Sequence, residues 1–194
     1  VIKIMAWAAA LAITGGSAMA APQTYDIDTA HSQVLFSFDH HGFSPVTGLI
    51  TGVAGVISFD AEAPTSSSVT ATIPLTRLTT GHEAQDADIL SPDFLGAAEV
   101  TFRSTRIEVT GTDTAFIVGD LTLNGVTQTV TLDATLNRAG LSAKGVPTLG
   151  LSATTTLLRS AFDAGRSAPA NSDAVRVTLA IEATAAPEPE HTQR

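Results

Sequence analysis

This 194-residue chain has no cysteine, so its five histidines and nineteen acidic residues are the side chains best suited to metal or acid–base chemistry. Asp39-His40-His41 has the composition of a metal site or an acid/base pair. Neighbours in a strand face opposite ways, however, so His40 and His41 cannot both line one site without a distorted turn. A solvated strand end accounts for them. His82-Glu83-Ala84-Gln85-Asp86 begins as a zinc-protease helix does, yet Asp86 stands where the second imidazole of the i, i+4 pair is needed. Asp86-x-Asp88 opens like a calcium loop, but Leu90 occupies the next ligand position and no glycine follows. Glu83, Asp86, Asp88 and Asp93 read instead as a solvated acidic face. Asp28, Asp60 and Asp120 read as turn caps or cross-strand partners of threonine. No nucleophile elbow, P-loop or dinucleotide glycine fingerprint is present. No catalytic residue, metal or cofactor is expected.

The elements that position these groups are strands. Ala115 to Leu123 and Val126 to Leu136 alternate apolar and polar residues on either side of Asn124-Gly125, a pair suited to a type I′ turn. A two-residue loop fixes the register: Leu123 faces Val126, Leu121 faces Gln128, Gly119 faces Val130 and Ile117 faces Leu132. Thr24–Asp28 is a short first strand. Gln33–Asp39 alternates with Val34, Phe36 and Phe38 on one face. Thr47–Phe59 reads as one long strand with Leu49, Val53, Ile57 and Phe59 on one side, and Gly52 and Gly55 marking coiling or a bulge. Val69, Ala71 and Ile73 mark another strand, followed by Glu99–Val109. Leu149–Leu158 alternates again, and Val175, Val177, Leu179 and Ile181 belong to the last strand. Glu83–Ala98 breaks the pattern and suits one or two helical turns, with Ser91 capping and Pro92 at the first helical position. Arg159–Asp173 is a polar loop with a turn near Asp163-Ala164-Gly165. Eight or nine strands, several of them long, point to an all-β antiparallel barrel with one short helical insertion.

Residues 1–20 have the form of a secretory signal: Lys3, an apolar run from Ile4 to Ile13, then Ala18-Met19-Ala20 as a small-x-small cleavage site. Export to the periplasm with cleavage after Ala20 is expected, leaving a barrel domain over 21–185 and a disordered tail over 186–194. The apolar run is shorter than the roughly 20 residues of a membrane span, so no integral membrane segment is expected after cleavage. Losing Lys3 takes the formal charge from −9 to −10. That argues against an electrostatic nucleic-acid partner.

In order along the chain, Tyr25-Asp26-Ile27-Asp28 with His31-Ser32, His41-Gly42, Phe59-Asp60, Ser91-Pro92-Asp93-Phe94, Thr101-Phe102-Arg103-Ser104-Thr105, Gly119-Asp120-Leu121-Thr122-Leu123-Asn124-Gly125 and Arg159-Ser160 with Phe162 form a set. Together these resemble the YceI-like family, exported bacterial proteins with a lipocalin-like barrel. The resemblance implies a polyisoprenoid-type lipid or a quinone as ligand. Two departures stand out. Phe94-Leu95 replaces the family's double aromatic, with Gly96 where aspartate is common. Asp163 follows Phe162 where the family usually has glycine.

The apolar face alone is a core whether or not it holds a ligand. With the resemblance, the expected ligand-binding set is Val34, Phe36, Phe38, Val53, Ile57, Phe94, Phe102, Ile117, Gly119, Leu121, Gln128, Val130, Leu132 and Arg159. Leu49, Ile73, Leu123, Leu151, Val177 and Leu179 complete the inner face. Gly119 is expected to leave room opposite Val130, so that leucine there blocks ligand while sparing the fold. Gln128 and Arg159 are head-group candidates, with fold roles as the alternative: Gln128 at the barrel mouth, Arg159 pairing with a carboxylate. The function expected is a soluble carrier of a long isoprenoid or similar amphipathic lipid. The alternatives are an enzyme using His31, Asp39 or His41 at the mouth, and a ligand-free interaction protein with a filled barrel. A homodimer is left open.

Overall fold

The computed structural model describes residues 22–185, and the expected leader and tail lie outside the described residues. Strands β1 (Gln23–Ile27), β2 (Gln33–His40), β3 (Ser44–Thr51), β4 (Ala54–Phe59), β5 (Ser68–Pro74), β6 (Leu78–Thr79), β7 (Glu99–Val109), β8 (Thr114–Leu123), β9 (Val126–Leu141), β10 (Pro147–Leu158) and β11 (Ala174–Ala185) form one antiparallel sheet. The sheet closes on itself because β11 pairs with two successive segments. Its C-terminal half meets β1 (Tyr25↔Ala185), and its N-terminal half meets β2 (Val177↔Phe36).

Eleven strands make eight staves. β1 and β2 are one broken stave beside β11. β3 and β4 form the next, since β3 pairs with β2 and β4 pairs with β1. β5 and β6 form a third, paired with β4 and β3 respectively. The first two breaks have local causes. Between β1 and β2, the Asp28 carboxylate accepts from the Ala30 N–H and pairs with His31 Nδ1 at 2.8 Å. That contact holds the Asp28 carboxyl below, and the His31 imidazole above, its ordinary range. The Ser32 hydroxyl donates to the Glu182 carbonyl and accepts its N–H, tying the corner to β11. Between β3 and β4 the chain turns at Gly52, whose φ of +77° lies in the left-handed region.

That corner corrects one inward assignment. Leu49 pairs across to Leu35 and Thr79, while Ile50, buried at 7% exposure, faces the interior with Val53 and Ile57. Counting by twos through Gly52 fails because the corner offsets the pleat by one residue. The β8–β9 hairpin keeps the expected register, with Asn124 and Gly125 at φ +51° and +76°. The insertion is helix α1 (Glu83–Ile89) followed by a turn. Ser91 does not cap a second helix. Its hydroxyl donates to the Asp88 carbonyl, and the Phe94 N–H donates to the Ser91 carbonyl. Among the described residues no helix is long and apolar enough to cross a membrane.

Two inward glycines carry aromatic lids. A methyl group on Gly48 would lie 2.1 Å from the tip of the Phe36 ring, and one on Gly119 would lie 2.5 Å from both the Phe102 ring and the Arg103 carbonyl. Gly119 therefore leaves no unfilled room. The volume its missing side chain vacates is taken by Phe102, and β7 bulges against it between Ser104 and Arg106. The two sites should respond differently. Gly119→Ala meets rigid backbone and should cost about 1–3 kcal/mol in urea unfolding. Gly48→Ala meets only a ring tip, which swings into the interior, and should cost less. Equal losses at both sites would contradict this packing.

Candidate functional site

The inward side chains of all eight staves enclose a cavity of about 360 Å³, within the range of small-molecule sites. Its wall is apolar almost throughout. Val34, Phe36, Ile57, Ile73, Phe102, Leu121, Leu132, Leu151, Val177 and Leu179 all reach it. Tyr25, Leu149 and Ala183 are buried beyond one end and form a floor. Leu149 and Ala183 are register partners with no exposed surface.

The other end is a mouth built from four connections. These are the β2–β3 turn at His41, the α1 segment, the β8–β9 turn, and the β10–β11 connection, which opens with a 3₁₀ turn (Arg159–Phe162). Asn124 joins three of them. Its amide nitrogen donates to the Phe94 carbonyl at 2.8 Å and the Phe162 carbonyl at 3.2 Å, and its oxygen accepts the Ala97 N–H at 3.3 Å. Asp93 forms an ion pair with Arg166 across the same gap. Asp86 is not a purely solvated acid. It accepts from the Thr80 N–H, the Thr80 hydroxyl and the Thr79 hydroxyl, which holds its carboxyl below the ordinary range and pins α1 to β6. Asp60, as expected, organises a turn, accepting from the Glu62 and Ala63 N–H groups and the Ser66 hydroxyl.

Eleven of the fourteen expected ligand residues line this cavity: Val34, Phe36, Phe38, Val53, Ile57, Phe94, Phe102, Ile117, Leu121, Leu132 and Arg159. Three do not. Gly119 lies under Phe102, and Val130 packs half-buried against the core away from the cavity. Gln128 is exposed, and its amide donates to the Ala161 carbonyl at 3.1 Å. It braces the 3₁₀ turn instead of offering itself to a head group. Arg159 faces the cavity but pairs with no carboxylate among the described residues. Its guanidinium donates to the carbonyls of Ser172, Ala164, Arg166 and Asn171 at 3.0–3.2 Å and lies 6.0 Å from the Phe38 ring centre. Burial holds its pKa below the usual arginine value. Asp173 instead accepts the N–H and hydroxyl of Ser160.

His31, Asp39 and His41 are not brought together. His31 pairs with Asp28 at the β1–β2 corner, while His41 sits in the β2–β3 turn at φ +55°. Among the described residues, the histidine that reaches the cavity is His40. Sequence reasoning also missed Ile27, Ile50, Leu75, Leu78, Gln85, Asp88 and Asn171 on the wall. Ile50 was hidden by the Gly52 offset. Asn171 sits in an irregular loop with no periodicity to read, although it bridges to His40 at the end of β2.

The YceI-like domain profile matches residues 25–183. The chain belongs to the YceI-like family. It is 38% identical over 174 residues to a UPF0312 protein of Ectopseudomonas mendocina (strain ymp), covering 88% of this chain and 91% of that protein. The fold is shared with BcnA of Burkholderia cenocepacia at a TM-score of 0.73 and 22% identity, covering 81% of this chain and 99% of that one. It is shared also with a polyisoprenoid-binding domain from Saccharophagus degradans implicated in plant cell wall breakdown. There the TM-score is 0.66 and the identity 16%, covering 84% of this chain and 99% of that one.

One departure from the resemblance now has a physical account. Asp163 follows the 3₁₀ turn at φ +55°, ψ +23°, in the left-handed region where glycine is least strained and aspartate is tolerated. Asp163→Gly should therefore stabilise the protein by up to about 1 kcal/mol, and Asp163→Val should destabilise it by about 1–2 kcal/mol, in chemical unfolding. Destabilisation by glycine would show that the aspartate side chain, and not its backbone, matters there.

Proposed function

We propose that this protein binds a long isoprenoid or similar amphipathic lipid inside the barrel and carries it in the periplasm after residues 1–20 are removed. The observation that carries this reading is the enclosed apolar cavity with a floor at one end and a polar-edged mouth at the other. Such a shape suits a molecule with a slender apolar chain and one polar end. Burying each CH₂ contributes about 0.8 kcal/mol, so ten of them give roughly 8 kcal/mol without a single directional contact. Affinity then comes mainly from shielding, and the protein needs no chemistry on its ligand. Family membership and the fold shared with a polyisoprenoid-binding domain support the same choice.

Native mass spectrometry of freshly purified protein, followed by organic extraction, tests this. A bound species of several hundred daltons (on the order of one lipid chain) that partitions into solvent is the expected result. A bare protein that also takes up neither prenyl alcohols nor isoprenoid quinones in titration would overturn it.

A further inference from the structure

The polar groups at the mouth say which kind of head group fits. Arg159 is the one guanidinium or ammonium on the cavity wall among the described residues. A phosphate is held best by a free guanidinium fork making paired, charge-assisted bonds. Here four of the five N–H donors are already committed: Nε to Ser172, Nη1 to Ala164 and Arg166, and Nη2 to Asn171, each to a main-chain carbonyl. An anion would have to strip those carbonyls and release the β10–β11 connection. Asp173 lies near enough to Arg159 to favour its charged form. Asp88 of α1 is also among the wall residues, and the chain as a whole is strongly acidic.

The unmet group has the opposite character. Asn171 is on the wall of the same cavity, and its side-chain oxygen is buried with no hydrogen-bond partner. It lies where β2 ends, in the isolated bridge to His40, and its own main-chain carbonyl is held by Arg159. A buried acceptor without a donor is costly, and such a group in a native protein calls for an explanation. A hydroxyl at the end of an apolar chain supplies the missing donor. Gln85, on the α1 side of the wall, adds a neutral amide.

We propose that the mouth selects a ligand whose polar end is an uncharged hydroxyl, as in a long-chain alcohol or phenol, with Asn171 as its acceptor, and disfavours a phosphate or diphosphate end. This rests on the lipid-binding reading above and narrows it. Farnesol, farnesyl diphosphate and farnesene share one chain and differ only at its end. Their displacement of a solvatochromic dye from the full protein separates the possibilities. Wild type should bind farnesol about tenfold or more tightly than the diphosphate, and more tightly than the hydrocarbon. Asn171→Leu should erase the preference for farnesol over farnesene. Asn171→Asp, which keeps the acceptor and guards against a leucine variant that fails to fold, should retain that preference and weaken the diphosphate further. A diphosphate that binds wild type as tightly as the alcohol overturns this inference and leaves lipid binding standing. Retention of the farnesol preference by folded Asn171→Leu overturns the role of Asn171. Failure of all three probes overturns the lipid-binding reading and this inference together.

Discussion

Closure of the sheet at β11 is the constraint on which everything else depends. A sheet edge left open would expose unpaired N–H and C=O groups along its length, and closure removes that edge. Here β11 closes the ring by pairing its two halves with β1 and β2, which requires the first stave to break and still hold its place. The Ser32 hydroxyl, bonded both ways to the Glu182 backbone, supplies that hold. Once the ring is closed, strict alternation turns one face of every stave inward. The number of staves then fixes how wide the interior is.

Width and side-chain size together leave space inside. The inner face is built largely from valine, leucine and isoleucine, and the two buried strand phenylalanines, Phe36 and Phe102, fold back over Gly48 and Gly119. Rings laid against the wall cover it without spanning the interior. Gly119, which looks like a vacancy in the sequence, and Gly48 are thus what keeps the aromatic bulk out of the centre. At the mouth the economy is different. Asn124, Arg159 and Gln128 bond main-chain groups of the surrounding connections, and Asp86 bonds the Thr80 N–H and the Thr79 and Thr80 hydroxyls, so the rim is ordered by polar side chains that are no longer free. Asn171 is the exception, and it stands out because its neighbours are satisfied.

What could be read from the residues follows the same physics. The β8–β9 register was legible because Asn-Gly admits few backbone conformations, and the inward sets of β2, β10 and β11 because uninterrupted strands keep their period. The β3–β4 stave was not, since a left-handed glycine at 52 offsets the pleat and exchanges Leu49 for Ile50. Gly119 and Gln128 were misassigned for a related reason. Facing inward in a hairpin does not say what packs there from the neighbouring strand or loop, and Phe102 and the Ala161 carbonyl arrive from outside the hairpin. The mouth was the least legible part. Its polar groups come from loops and one short helix, whose orientation is set by tertiary hydrogen bonds and leaves no periodic trace.

The central claim is that the space inside the ring receives an apolar chain. Isotope-filtered NMR of methyl-labelled protein with an unlabelled long-chain prenyl alcohol tests it most directly. The account predicts cross-relaxation from the chain to the inward methyls of Val34, Leu121, Leu132, Leu151 and Val177, and none to the outward methyls of Leu35, Val56 and Leu158. Contacts confined to the outward set, or no contacts with either, would contradict it.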